Sequence, residues 1–282
     1  RTRKIIHVLP VTVKVFKLCY INSAPVWSNN LLEHVHPVKE LVAIVDMLIV
    51  INVMAKRNQK KLFWRPKPRN GVCITVRQKL HQSNLTGGIT LVAERMEHLH
   101  SVAVRILVPA GGIHDPQRKQ GLSNLLSEMM DRGAGTRNSK QLSDAFETLG
   151  VDYSIGTGTH CIAISATFLS ENMKPAMELL SDVLIRPKLP AKELAAVKDL
   201  VHQDIQALEE EPRRKVMLEL AKQHYPSPYG NDPRGSTESV DSIEIEEIEK
   251  FHNDRFQPSG TIIGIAGNIE FSEIEDSLNR IF

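Results

Sequence analysis

The chain has 282 residues, of which 41% are hydrophobic and 24% charged, and its formal net charge is +2. That balance excludes a collagen-like, wholly disordered or disulfide-stapled protein and suffices for one large domain or two small ones. The charge is unevenly spread, because residues 1–72 hold 13 Lys and Arg against 3 Asp and Glu, a net +10, whereas the remainder carries −8.

The basic leader, residues 1–72, contains no recognisable domain. Ile5 to Val15 alternates loosely, as a strand would, and Leu41 to Met54 is the most apolar run of the chain. That run is 14 residues long and includes Asp46 and Asn52, whereas a spanning helix needs about 20 mostly apolar residues. A buried or interfacial helix is therefore preferred to a membrane anchor, although membrane contact by the leader stays open. Glu33, His34 and His36 resemble a metal-binding cluster only superficially, because Asn30 stands where another histidine is needed and Pro37 breaks any framing helix. The basic, proline-containing stretch from Lys56 to Arg69 reads as a solvated tether. No nucleic-acid-binding motif accompanies it, so nucleic acid is not expected as a partner. Cys19, Cys73 and Cys161 are far apart and odd in number, which favours reduced thiols or core packing over a disulfide framework.

Organisation begins near residue 73. Strands are predicted at Cys73 to Lys79, at Ile89 to Glu94 after the Gly87-Gly88 turn, and at Ser101 to Val108, where alternation marks one buried face. The turn Gly111 to Pro116 then leads into an amphipathic helix from Gly121 to about Gly133, with Leu122, Leu125, Leu126, Met129 and Met130 on its apolar side. Asn124, Ser127 and Glu128, spaced by three and four residues, share its polar side. A second helix spans about Ser139 to Leu149, capped by Asn138 or Ser139 and ended by Gly150. Val151 to Gly156 and Cys161 to Phe168 form a hairpin, and Asn172 to Ile185 an amphipathic helix closed by Arg186-Pro187.

The longest helix is predicted from Pro190 to Glu211, burying Leu194, Val197, Leu200, Val201, Ile205 and Leu208. Another follows from Arg213 to His224, then a loop at Tyr225 to Gly230, an acidic helix from Ser242 to Phe256, a strand from Gly260 to Gly267 and a last helix from Phe271. Strands, paired helices and further strands predict an α+β fold, a mainly antiparallel sheet with helices packed on one face.

The succession over residues 74–282 resembles the pitrilysin/insulinase-type zinc peptidases, which include the mitochondrial processing peptidase subunits and the core proteins of the respiratory cytochrome bc1 complex. The likeness is carried in order by Gly88 to Glu94, Val108 to Pro116, the Gly121 helix, Phe146 to Gly150, Arg186-Pro187, Pro228 to Gly230, Phe251 to Phe256 and Gly264 to Ile269. The resemblance implies a peptidase half-domain over residues 73–282, the first of the usual two halves, with a homologous subunit or second half-domain as partner and peptide as substrate. It also implies a helix bearing His-x-x-Glu-His, whose histidines hold Zn²⁺ and whose glutamate acts as base, with a further glutamate ligand downstream.

On this sequence the first histidine falls on Asn124, the base on Ser127, the second histidine on Glu128 and the downstream ligand on Asp204. An amide oxygen is a poor zinc donor, and serine is no general base near neutral pH without a neighbour to deprotonate it. Zinc is the family's cofactor, yet these residues lead us to expect none here. Glu128 and Asp204 remain carboxylates, able to form a weak oxygen site or simply a solvated pair beside Arg132. His202, two residues before Asp204, lies off its face. The expected function is a non-catalytic partner or scaffold subunit that helps to enclose peptide and associates with itself or a second polypeptide. The alternatives are an active metal-dependent endopeptidase with an atypical site on Glu128, Asp204 and an added histidine such as His160, or a membrane-attached assembly component.

Overall fold

Residues 80–281 are described by a computed structural model, and they lie within one compact unit. The leader, the strand expected at Cys73 to Lys79, both tryptophans, Cys19 and Cys73 fall outside the described residues.

Alternation of apolar and polar side chains produces the sheet. In β3 (Ser101–Val108) Val102, Val104, Ile106 and Val108 are buried while the residues between them are half-buried, and β7 (Ile162–Leu169) repeats the pattern with Ile162, Ile164, Ala166 and Phe168. Six strands join in the order β1-β2-β8-β3-β7-β6, with β1 at Leu80–Asn84, β2 at Thr90–Arg95, β6 at Asp152–Thr157 and β8 at Ile262–Gly267. All pairings are antiparallel except β2 with β8, where Thr90 lies opposite Ile262 in parallel register. The sheet is therefore mixed but mainly antiparallel, as expected.

The described helices are α1 (Leu122–Met130), α2 (Ser139–Thr148), α3 (Met173–Ile185), α4 (Leu194–Ala207), α5 (Pro212–His224), α6 (Thr237–Asp241), α7 (Ile245–Arg255) and α8 (Phe271–Ile281), of which α1 packs on β6, α3 on β7 and α8 on β2. Leu125, Leu126, Met129 and Met130 of α1 join Phe146, Leu180 and the inward residues of β3 and β7 in one continuous core. The capping question at α2 resolves to Asn138, whose side chain accepts from Gln141 N at 2.9 Å while Gln141 Oε1 accepts from Asn138 N at 3.0 Å.

Several elements differ from expectation. β1 is polar and exposed at the sheet edge, so no apolar alternation announced it. After α1 the chain makes a two-residue ladder, β4 (Gly133–Ala134) with β5 (Arg137–Asn138), too short to leave a periodic signal. The acidic helix starts at Ile245 rather than Ser242, because Ser242 ends the separate short helix α6. In α4 only Leu194, Val197 and Val201 are buried, and Leu200 is 43% exposed. At about 100° per residue Leu200 lies well round the helix from the Leu194–Val201 stripe, on the side that carries Asp204.

Candidate functional site

The site is built on α1 and on what closes round its start. Gly121 precedes the helix at φ 94°, and a Cβ there would lie 2.5 Å from Arg234 O. Glycine is thus required twice, for the left-handed backbone and for the close approach of the loop at residues 232–235. Asp115 then serves the helix start from outside it, accepting from Gly121 N at 2.8 Å, Ser123 N at 2.9 Å and Ser123 Oγ at 3.2 Å. Burial pushes its carboxyl up to about 6, against the downward pull of those hydrogen bonds.

α1 packs against β6, α4 and α7, and its polar face lies toward β6 and α4. Ser127 is only 2% exposed. Its hydroxyl donates to Asn124 O at 2.8 Å and accepts from Thr157 Oγ1 at 3.0 Å, and Thr157 also reaches Ser123 O at 3.0 Å. That oxygen is already engaged as donor and acceptor within the helix-to-strand contact, so it has the setting of a packing group and not of a base or nucleophile. Asn124 and Glu128 are half-buried, and Asp204 is exposed on α4.

Glu128 and Asp204 are within electrostatic reach across the two helices. Burial holds the Glu128 carboxyl above the ordinary carboxylate value, the Asp204 charge adds to the rise, Arg132 opposes it and Asp131 adds a little more. Arg132 thus acts on Glu128, and its own Nε is buried without a hydrogen-bond partner among the described residues. His202 is directed elsewhere, with Nε2 3.2 Å from Asp241 Oδ1 on α6. His160 lies on the β6–β7 hairpin, its ring 5.8 Å from that of Tyr229.

The donor set does not fit zinc. On the placement that the resemblance implies, a neutral amide and a carboxylate stand where the two imidazoles would be, and only the third position, the exposed Asp204, keeps the expected kind of donor. Among the described residues no group of three His, Cys, Asp or Glu side chains is arranged to hold a metal ion.

Beside this face lies a cleft of about 620 Å³ that begins at Thr157 and runs between α5 and the residue 232–234 loop. Arg213, Arg214, Met217 and Leu218 form one wall, Asp232, Pro233 and Arg234 the other. Arg234 is fixed by Asp232, with Nε to Oδ1 at 3.1 Å and Nη2 to Oδ2 at 2.7 Å, and its Nη1 donates to Asp204 O at 3.2 Å. Neither Thr157 nor Arg234 could be found from local sequence, since a hairpin strand and a distant loop bring them to α1.

With this geometry in view, the comparison with protein families is decisive: the model of the insulinase family, peptidase family M16, matches residues 90–232, just over half of the chain. The chain belongs to peptidase family M16. This M16 chain is 24% identical over 208 residues to an uncharacterized zinc protease of Rickettsia felis, covering 73% of this chain and 50% of that protein. Its fold is similar to that of an M16 inactive domain from Pseudomonas fluorescens, with TM-score 0.67 and 22% identity over 72% of this chain and 50% of that one. It is similar also to pitrilysin, with TM-score 0.65 and 16% identity over 73% of this chain and 23% of that one. The chain spans about half the length of the curated relatives that it matches first. Zinc is the metal for which such M16 relatives are named.

Proposed function

We propose that this chain is a non-catalytic M16 homologue, a partner subunit that helps to enclose a peptide together with a second M16 half supplied by another polypeptide or segment. The observation that supports it is the state of the residues placed at the family's chemical positions. Asn124, Ser127, Glu128 and Asp204 offer no imidazole, and Ser127 is spent on Thr157 and its own helix. A single tolerated substitution would not change all four positions together.

The peptide-binding part of the reading has a backbone basis. β6 is an edge strand whose outer side pairs with no described strand. Such an edge presents unpaired N–H and C=O groups to an extended peptide. Tyr153, Ile155 and Thr157 of β6 face the helices, so a peptide added there would run alongside the polar face of α1.

The test is elemental analysis for zinc with a peptide-hydrolysis assay on the purified chain. Stoichiometric zinc with turnover would sink the proposal. A constructive variant checks the placement itself: Asn124→His, Ser127→Glu, Glu128→His and Asp204→Glu combined are expected to create zinc binding, and failure would mean that the site is misplaced. The electrostatic contact of Glu128 with Asp204 favours one rival, an atypical metal-dependent endopeptidase. It requires that a chelator and Glu128→Ala each abolish cleavage.

A further inference from the structure

The cleft and the edge strand share Thr157. Thr157 is the last residue of β6, and from there the cavity passes between the start of α5 and the loop that holds Arg234. A peptide laid on β6 has two ends, and the one that passes Thr157 has this space open to it.

The walls give the cleft a chemical preference. Three guanidinium groups line it, but they are not equivalent. Arg234 is neutralised by its two hydrogen bonds to Asp232 and tied to the α4 backbone. Arg214 is held by Glu211, with its Nη1 3.1 Å from one carboxylate oxygen and 3.2 Å from the other. Arg213 has no such partner among the described residues, whereas its helix neighbours Lys215 and Lys222 are paired with Glu209 and Glu219. Among the described residues one uncompensated positive charge therefore stands at the cleft, next to the apolar surface of Met217, which is 60% exposed, and of Leu218. Charge complementarity and this apolar floor together select the occupant.

We propose that this cleft receives the part of a bound peptide that runs past the end of β6, and that it favours an acidic side chain beside an apolar one there, with Arg213 as the residue that sets the preference. This rests on the reading of the chain as a peptide-binding M16 subunit and names the class of peptide that it takes.

Fluorescence anisotropy with the full chain tests it. Three labelled peptides of about ten residues share a strand-forming Val/Thr centre and differ only in the triplets at both ends, Glu-Leu-Glu, Gln-Leu-Gln or Lys-Leu-Lys. The acidic peptide is expected to bind about two- to fivefold more tightly than the neutral one at low salt, and the lysine peptide more weakly by a similar factor. Arg213→Glu should reverse that order. Lys222→Glu, which changes the net charge equally on the same helix but away from the cleft, should leave the order intact. Arg213 is exposed and has no partner among the described residues, so its variant is expected to keep the parent melting temperature. Peptides that bind without an order by charge, or an order that Arg213→Glu does not change, overturn the preference while leaving the peptide-binding reading in place. If none of the three binds, the reading beneath it falls as well.

Discussion

Two helices with five apolar residues each, among nine in α1 and thirteen in α5, have opposite fates in this molecule. In α1 seven of nine residues are buried, including Leu125, Leu126, Met129 and Met130. In α5 none is buried, and Val216, Met217 and Leu220 are 65%, 60% and 57% exposed. The principal contact of α5 is the turn that leads into it. An apolar stripe at helical spacing thus identifies a helix but not what covers it. The first stripe is closed by sheet and helices, and the second is left facing outward beside a charged cleft, where a partner or ligand would meet it.

The largest expected effect tests this contrast directly. Leu125→Ala should cost about 3 kcal/mol in urea unfolding, whereas Leu220→Ala should cost less than about 0.5 kcal/mol. Equal losses would break the comparison and show that α5 is packed in solution.

A smaller effect sharpens the buried side. His252 lies on α7, which packs on α1, and its Nε2 is 2.9 Å from Leu184 O. Burial holds its pKa below the ordinary 6.5, against the upward pull of the hydrogen bonds to Leu184 and Asn253. The unfolded chain therefore takes up the proton first as pH falls. Stability contributed by neutral His252 is full above about pH 6.5 and is lost as pH drops from there toward the folded value. Unfolding midpoints measured from pH 7.5 downward should decline across that window, and His252→Gln should flatten the decline.

The smallest expected effect concerns the site. The folded Glu128 carboxyl sits above its ordinary 4.5, so its charged form disfavours the folded state. Its contribution makes stability fall as pH rises above 4.5, until the folded group is itself ionised. Glu128→Gln should raise the unfolding midpoint slightly at neutral pH and leave it unchanged at pH 4. A loss at neutral pH would mean that a favourable partner of the carboxylate outweighs its burial and the repulsion from Asp204.

How much was legible follows from which forces act locally. The strands β3, β7 and β8 could be read because burial on one face forces alternation. α1, α2 and α3 could be read because caps and apolar periodicity coincide. β1 escaped, since an exposed edge strand needs no apolar residues, and α6 escaped because a single turn is too short for periodicity. At the site, helical spacing puts Asn124, Ser127 and Glu128 on one side of α1, where Ser127 is buried against Thr157 and the other two are half-buried. The hydrogen bond from Thr157 and the anchoring of Arg234 depend on contacts between distant segments. Leu200 departs from the expected stripe because a three-residue step from Val197 suits a broad apolar face, while the burying surface accepts a narrow one.

The parallel contact of β2 with β8 has a consequence for how the chain is made. β8 is inserted between β2 and β3, elements that precede it by more than 150 residues. A growing chain that has emerged only as far as α7 holds two sheet fragments, β1-β2 and β3-β7-β6, each with an open edge and no bridge between them. Such a topology delays closure until the last strand arrives, as expected where pairings are remote in sequence. Synthesis of this domain thus leaves the facing edges of β2 and β3 exposed until the six residues from Ile262 to Gly267 pair with them.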